Sequence, residues 1–545
     1  MKIKEKQNGK EIIVYDVTLR DGWQDPRKNL PIALKQRMYN VLSDLKPDYI
    51  EACWPSSSSA DMNFIKQVVA KGNKYSKIAA FGSTANPRND AKYDKNLNDI
   101  ISTGAKTATI FGKTWDVHIN KQLGISLLEN LMLIKNSVRY LKENGLEVIY
   151  DCEHFFSGFK KHPNYAFDCI RAARSGGATT IALCDTKGAC RTKDIRDVVN
   201  KIYEEFADNK DITWGIHCHN DSGFATANTL EFVDNILKYF DKVHVQGTIN
   251  GLGERCGNGD LCEILPDIED KYGYKTGIDL SNISMISKRA VDITGIIIPD
   301  NKPYVGRLAF ANKGGAHIDG EKKGATYLHT DPEKWGNSAK IISGNQSGKA
   351  NIMLWLEEFG IEGIDKKDVR ISAMLERVKE LSEQGYDLSE NKAERALLMQ
   401  EHLSENPGKF MNILDFSTRE IGEYKGNRSV KRAETVIRGH VYHNGDQIEF
   451  EQIATSEHGP IDSQKKVLIK VMEKYYNCAR EIKLADYIPK ISREIGSESY
   501  MRVPIKLTDG KDIWETIGIS DSIIEASLEA LYKGFMYKLI KEEYK

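Results

Sequence analysis

The chain has 545 residues, 40% hydrophobic and 28% charged, enough apolar material for a large core, which excludes disordered, collagen-like and low-complexity classes. Its 77 Lys and Arg against 78 Asp and Glu leave a formal charge of −1, so no long-range field draws it to nucleic acid or to an anionic membrane. At about 150 residues per domain, with a barrel able to absorb about 250, two or three domains are expected. The nine cysteines, at 53, 152, 169, 184, 190, 218, 256, 262 and 478, form no CxxC pair, which points to reduced thiols and a cytoplasmic protein. The amino-terminal MKIKEKQNGKEIIVYD lacks the apolar stretch of a signal peptide, and no run approaches the ~18 apolar residues of a membrane span.

The first half repeats one pattern, a short β-branched run followed by a longer amphipathic stretch. The runs are IIVYDVTLRDG (12–22), DYIEACWP (48–55), KIAAFGST (77–84), TATIFGKT (107–114), EVIYDCEH (147–154), TTIALCDTK (179–187), TWGIHCHND (213–221) and KVHVQGTINGLG (242–253). Eight strands, each preceding a helical segment such as SLLENLMLIKNSVRYLKENG, have the count and period of an α/β (β/α)8 TIM barrel. An open doubly wound sheet is the competing reading. The barrel is favoured because polar and ionisable residues gather at the C-terminal end of nearly every strand, where barrel active sites lie. After about residue 280 the rhythm turns to mixed helix and loop, including FANKGGAHIDG and DKKDVRISAMLERVKELSEQG. From about 430, strands followed by a helical stretch occur twice, which suggests an α+β module of two similar halves. The expected domains are therefore a barrel over 1–280, a helical linker subdomain over 281–429 and a C-terminal module over 430–545.

The sharpest local signal is Ile216-His217-Cys218-His219-Asn220-Asp221. Alternate residues of a strand share a face, so His217 and His219 can present two imidazoles to one cation. A pair of buried, hydrogen-bonded histidines gives the same pattern. Asp21, in Leu19-Arg20-Asp21-Gly22, ends the first strand, and in a closed barrel strands one and seven open onto one rim, so Asp21 can complete a set of two imidazoles and a carboxylate. Such a set suits a divalent cation acting as a Lewis acid, with Zn, Mn and Mg not separable by ligand type. The bland alternative makes Asp21 a cap and Arg20 its surface ion pair. Arg20 beside the metal can stabilise a developing enolate or alkoxide. Glu153 after strand five can orient a base and Thr186 after strand six can hold a substrate carboxylate, or each simply caps a helix. His317, in a glycine-rich loop, is a candidate general base or an exposed loop histidine. Gly251, Gly253, Gly257 and Gly259 permit tight turns but lack GxGxxG spacing, so no dinucleotide site follows.

At these residues the chain resembles the α-isopropylmalate synthase, homocitrate synthase and citramalate synthase family. LRDGWQ followed by ten residues and Lys35 resembles the family's first signature, and WGIHCHNDSGFATA its second. QGTINGLGERCGN, PYVGRLAFANKGGAH, TYLHTDPEKWGN and SDSIIEASLEALYKGFMYKL extend the likeness over nearly the whole chain. Within the family, YDCEHFFSGFKKHPNYA, IFGKTWDVH and QGTINGLGERCGN look most like the long-form (R)-citramalate synthases. The resemblance implies condensation of acetyl-CoA with a 2-oxoacid, pyruvate favoured. It implies that Asp21, His217, His219 and Asn258 surround the metal, that Arg20 polarises the keto oxygen, that Thr186 binds the oxoacid, and that Glu153, His317 and Tyr327 serve the acid/base step. It further implies a homodimer, with His317 and Tyr327 reaching the partner's barrel, and a regulatory C-terminal module with isoleucine as the favoured effector. The chain departs from the family at Trp23, where a small residue is usual, and at CWPSSSSAD (53–61). The nearest alternative activity is isopropylmalate synthase. Barrel acyl-CoA lyases share the rim ligands without the C-terminal module, and a non-enzymic amino-acid sensor would have lost a ligand.

Overall fold

The structure, a computed structural model, describes residues 9–312, 327–341, 348–384, 386, 388, 391–404, 410–425, 428–487, 489–491 and 501–543. They divide into two compact units, Met1–Phe310 with Leu328–Ala339, and Ala311–Tyr327 with Lys340–Lys545. Among the described residues no helix is long and apolar enough to cross a membrane.

The first unit is the expected (β/α)8 barrel. Strands β1 (Glu11–Asp16), β2 (Tyr49–Cys53), β3 (Lys77–Ser83), β4 (Thr107–Lys113), β5 (Glu147–Glu153), β6 (Thr180–Asp185), β7 (Thr213–Cys218) and β8 (Lys242–Gly247) pair in parallel and in order. The ring closes where β8 meets β1, with Glu11 opposite Lys242 and Asp16 opposite Gly247. Strands covered on both faces read as near-continuous apolar runs, and every residue of β2 and β6 is buried. After the strands in turn come α1 (Ile32–Leu45), α2 (Ser59–Lys71), α3 (Lys95–Ser102), α4 (Leu127–Glu143), α5 (Pro163–Gly176), α6 (Thr192–Phe206), α7 (Ala225–Tyr239) and α8 (Leu261–Asp270). Their starts are chemically marked: Ser58 accepts from the Asp61 amide at α2, and Ser126 with Glu129 forms a reciprocal capping box at α4.

Two layers of side chains hold the barrel. Between strands and helices lies the main apolar core, in which fully buried Trp214 packs against Phe206 and Phe240 with ring centroids 5.3 and 5.9 Å away. Truncating such a residue to alanine costs about 3–5 kcal/mol. Inside the ring a small cluster of Tyr15, Val17, Tyr49, Ala79 and Ile149 is joined by buried polar Glu51, Thr109, Asp151 and Gln246. The unit continues past residue 280, the boundary expected from sequence. Helix α9 (Ile283–Thr294) buries Ile283, Ile286 and Ala290 and packs on α1, and Arg289 reaches Asp44 at 2.6 Å.

In the second unit, α10 (Lys349–Glu358), α11 (Val369–Glu383) and α12 (Lys392–Leu403) enclose Ile352, Trp355, Ile371 and Met374. An antiparallel sheet of β9 (Met411–Lys425), β10 (Arg428–His443) and β11 (Asp446–Ser456) is followed by α13 (Pro460–Met472). A second sheet containing β12 (Lys483–Tyr487), β13 (Met501–Thr508) and β14 (Ile513–Ser520) is followed by α14 (Ile523–Glu543). The order of strands then helix occurs twice, as the sequence suggests. Residue 430, expected to open the module, instead lies within β10. Met411 and Ala393 share the apolar core of the two sheets, and the Glu394 carboxylate accepts the Ile517 amide of β14 at 2.8 Å. Helix α12 thus packs with the two-sheet module, its Glu394 also facing Lys533 of α14 at 3.6 Å, while Leu398 and Met399 on the same helix join the helical core.

Candidate active site

The end of β1 is tied to β8 by the Val17 amide, which donates to Gly247 O at 2.9 Å. The amides of Arg20, Asp21 and Gly22 all turn back on Val17 O, at 3.2, 2.9 and 3.1 Å, and this tight turn sets Arg20 and Asp21 at the barrel mouth. His217 lies in β7 and His219 just beyond it. The loop after β8 runs antiparallel beside them, with Gly259 N donating to Cys218 O at 2.8 Å and Asn220 N to Gly257 O at 2.9 Å, so Asn258 comes opposite His219. Gly257 adopts φ +86°, and a Cβ there would lie 1.9 Å from Gly251 O; only glycine allows the loop to fold this close.

These elements bring Asp21, His217 and His219 together, all buried, with ligand atoms within 4.8 Å of one another. The two Nε2 atoms are 3.4 Å apart, and Asp21 Oδ2 lies 3.6 Å from that of His217 and 3.9 Å from that of His219. A point equidistant from the corners of this triangle is about 2.1 Å from each, the bonding distance of a divalent cation to imidazole nitrogen and carboxylate oxygen. Asn258 donates to Asp21 Oδ1 at 3.2 Å and to Leu252 O at 3.0 Å. Its own Oδ1 is buried with no hydrogen-bond partner among the described residues, an orphaned acceptor of the kind a cation satisfies. The donor set fits a divalent ion.

The protonation states agree with that fit. Burial opposes ionisation of Asp21, but Arg20 and then the two imidazoles outweigh it and hold the carboxyl well below the usual range. Burial, and next the charge of His217, pushes His219 down to about 4; burial likewise lowers His217, with Asp21 pulling the other way. An anionic carboxylate and neutral imidazoles are the forms that bind metals. Asp21 makes no side-chain cap bond to the short turn it precedes, which removes the capping alternative. The Arg20–Asp21 pair does form, at 2.8 Å, but it is buried rather than a surface bridge.

Arg20 is clamped twice, its Nε on Glu51 Oε1 at 2.6 Å and its Nη1 on Asp21 Oδ2 at 2.8 Å, and its guanidinium lies 3.8 Å from the Phe81 ring centroid. Burial works against its charge, yet Glu51 and Asp21 more than offset this and keep it protonated. Glu153, ending β5, forms an ion pair with Lys113 of β4. The Thr186 hydroxyl accepts the His154 amide at 2.8 Å, leaving its own proton to donate. Arg20, Asp21, Glu153, Thr186, His217 and His219 all line one cavity of ≈210 Å³, below the ~300–1,000 Å³ of sites for drug-sized ligands.

The cavity contains residues that the sequence reading did not single out. Trp54, Phe81 and Phe111 form an aromatic wall with centroids 5.5 to 5.8 Å apart. Asp151 lies two residues before Glu153 on β5 and also faces in. Arg255 grips Asp221 at 2.8 Å and Thr186 O at 2.8 Å, joining the loops after β6, β7 and β8. His317 lies outside the described residues. Tyr327 belongs to the second unit and is exposed.

The chain matches the family described as HMGL-like over residues 11–289 and the LeuA allosteric (dimerisation) domain over residues 391–539. It is 38% identical to an (R)-citramalate synthase of Aquifex aeolicus over 539 residues, covering 98% of both chains. It is 36% identical to one from Geobacter sulfurreducens, covering 97% of this chain and 98% of that one. A 2-isopropylmalate synthase of Pyrococcus furiosus is 29% identical, with 96% and 98% covered. With an HMGL-like barrel, a LeuA module and relatives matched end to end, the chain belongs to the (R)-citramalate synthase family.

Proposed function

We propose that the protein condenses acetyl-CoA with pyruvate and water to give (R)-citramalate and CoA, using one divalent cation, Mn²⁺, Mg²⁺ or Zn²⁺, held by Asp21, His217, His219 and Asn258. The observation that carries this reading is the buried triangle of one carboxylate and two imidazole donors, in a chain whose full-length relatives are (R)-citramalate synthases. When bound, the cation supplies Lewis-acid polarisation of the oxoacid's oxygens. Arg20, fixed by Glu51 and Asp21, donates to the keto oxygen as negative charge develops there, with no reorganisation needed at that moment. Thr186 directs its free proton to the oxoacid carboxylate. A base takes a proton from the acetyl methyl group, and the resulting carbanion forms a C–C bond to the keto carbon while the keto π electrons move to oxygen and take up a proton. Water then adds to the thioester carbonyl, and the C–S bond breaks to release the CoA thiol. Glu153, His317 and Tyr327 are assigned to these proton transfers.

The aromatic wall of Trp54, Phe81 and Phe111 supports a methyl-sized acceptor over an isopropyl-bearing one, since a few methylenes decide about 1–3 kcal/mol each in a fitted pocket. The LeuA match supports a homodimer inhibited by isoleucine, and the nine free thiols support a reducing cytoplasm. A CoA-release assay on the full chain with pyruvate, 2-oxoisovalerate and 2-oxoglutarate tests the assignment. Pyruvate is expected to give the highest kcat/KM and isoleucine to inhibit it. Faster turnover of 2-oxoisovalerate makes the enzyme an isopropylmalate synthase, and no CoA release with any acceptor after Mn²⁺ addition ends the reading.

A further inference from the structure

Behind His217 runs a buried chain of two side chains to which neither the motifs nor the proposed chemistry assigns a part. His217 Nδ1 lies 2.8 Å from Gln246 Oε1, and Gln246 Nε2 donates to Asp151 Oδ1 at 2.9 Å. Gln246 is 1% and Asp151 3% exposed. The direction of the amide follows from its far end. The NH₂ donates to Asp151 Oδ1, an acceptor in either protonation state, and the carbonyl oxygen faces the imidazole. A carbonyl oxygen in turn requires a proton on Nδ1, which leaves the Nε2 lone pair pointing at Asp21 and His219. A flipped amide would select the other tautomer, with a proton where the lone pair is needed.

We propose that Gln246, oriented by Asp151, is a positioning residue that locks His217 in its Nδ1–H tautomer and so sets how tightly this site takes a divalent cation. The inference rests on the metal-site reading above and adds to it a determinant in β8, a strand that supplies none of the three clustered donors. Outer partners of this kind change metal affinity by about 10–100-fold.

The test uses the full chain, Mn²⁺ alone, and electron paramagnetic resonance of free Mn²⁺ to obtain Kd. Wild type should bind one Mn²⁺ and Asp21→Ala should not; absence of binding in wild type overturns the metal-site reading itself. Given wild-type binding, Gln246→Met should weaken Kd by 10–100-fold. The double variant Gln246→Glu with Asp151→Asn exchanges acid and amide but keeps an acceptor on Nδ1–H, and it should return Kd to within about threefold of wild type. A folded Gln246→Met protein that binds Mn²⁺ as wild type does overturns the proposal. A measurement that needs no variant decides it independently: two-bond ¹H–¹⁵N correlations of ¹⁵N-histidine-labelled, metal-free protein should show the Nδ1–H form at His217, and an Nε2–H form refutes it.

Discussion

Replacing Glu51 isolates the role of charge in holding Arg20 over the cavity. Glu51 has no exposed side-chain surface, and both of its oxygens are engaged, Oε1 by Arg20 Nε and Oε2 by the Tyr15 hydroxyl, each at 2.6 Å. Glu51→Leu leaves a buried guanidinium with Asp21 as its one remaining carboxylate, and breaking such a pair costs about 3–5 kcal/mol. Glu51→Gln keeps an oxygen for Arg20, and Tyr15 can turn its proton to Thr109 Oγ1, 2.5 Å away. Only the charge is then lost, about 1–2 kcal/mol, the difference between charge-assisted and neutral hydrogen bonds. Urea unfolding followed by tryptophan fluorescence reads this in the barrel, where five of the seven tryptophans lie (Trp23, Trp54, Trp115, Trp214 and Trp335). Equal midpoints for wild type and Glu51→Leu, or equal losses for the two variants, would refute the reasoning, the second because loss of the charge alone would then account for the whole effect and the oxygen kept by Glu51→Gln for none of it.

Asp21→Ala should abolish turnover, and EDTA should abolish wild-type turnover reversibly on Mn²⁺ addition; activity that survives both removes the cation from the chemistry. Burial raises the Asp16 carboxyl to about 7, with Thr18's hydrogen bonds pulling the other way. The folded barrel therefore keeps a proton there that the unfolded chain has released, and this group's contribution to stability falls as pH rises from about 4 to 7. Buried imidazoles such as His219, lowered to about 4, act in the opposite sense over the same range, so Asp16→Asn in metal-free protein should shift the slope of urea midpoints against pH in the positive direction, and an unchanged slope would reject the Asp16 assignment. Glu394→Ala should destabilise the second unit by about 1–3 kcal/mol through the orphaned Ile517 amide. Protection of the β14 amides from hydrogen exchange should fall while that of β1–β8 is unchanged.

The barrel was legible because each strand carries its own signal: eight β-branched runs ending in polar residues fall on the eight observed strands. The triangle was legible in part. The two-residue period puts His217 and His219 on one face, and ring closure brings Asp21 to them, but Asn258 came only through resemblance, since nothing local separates it from a turn asparagine. Two features carried an unused signal. In β5, Asp151 and Glu153 share parity, so the second inward carboxyl was readable once Glu153 had been chosen. In β8, His244 and Gln246 alternate with Val243 and Val245, which marks polar residues turned into the ring. The aromatic wall was hidden because Phe81 and Phe111 come from β3 and β4 and Trp54 from the residue after β2, and each reads as ordinary core. Residue 280 falls just before α9 and residue 430 within β10, regular elements whose packing partners lie elsewhere in the chain.

Asp21 and Asn258 are 237 positions apart in the chain yet share a hydrogen bond at one corner of the triangle. No partial ring can assemble that grip. During synthesis the hydrogen bond that fixes Asp21 cannot form until the eighth strand and the turn beyond have left the ribosome, so that anchor belongs to the finished circle alone.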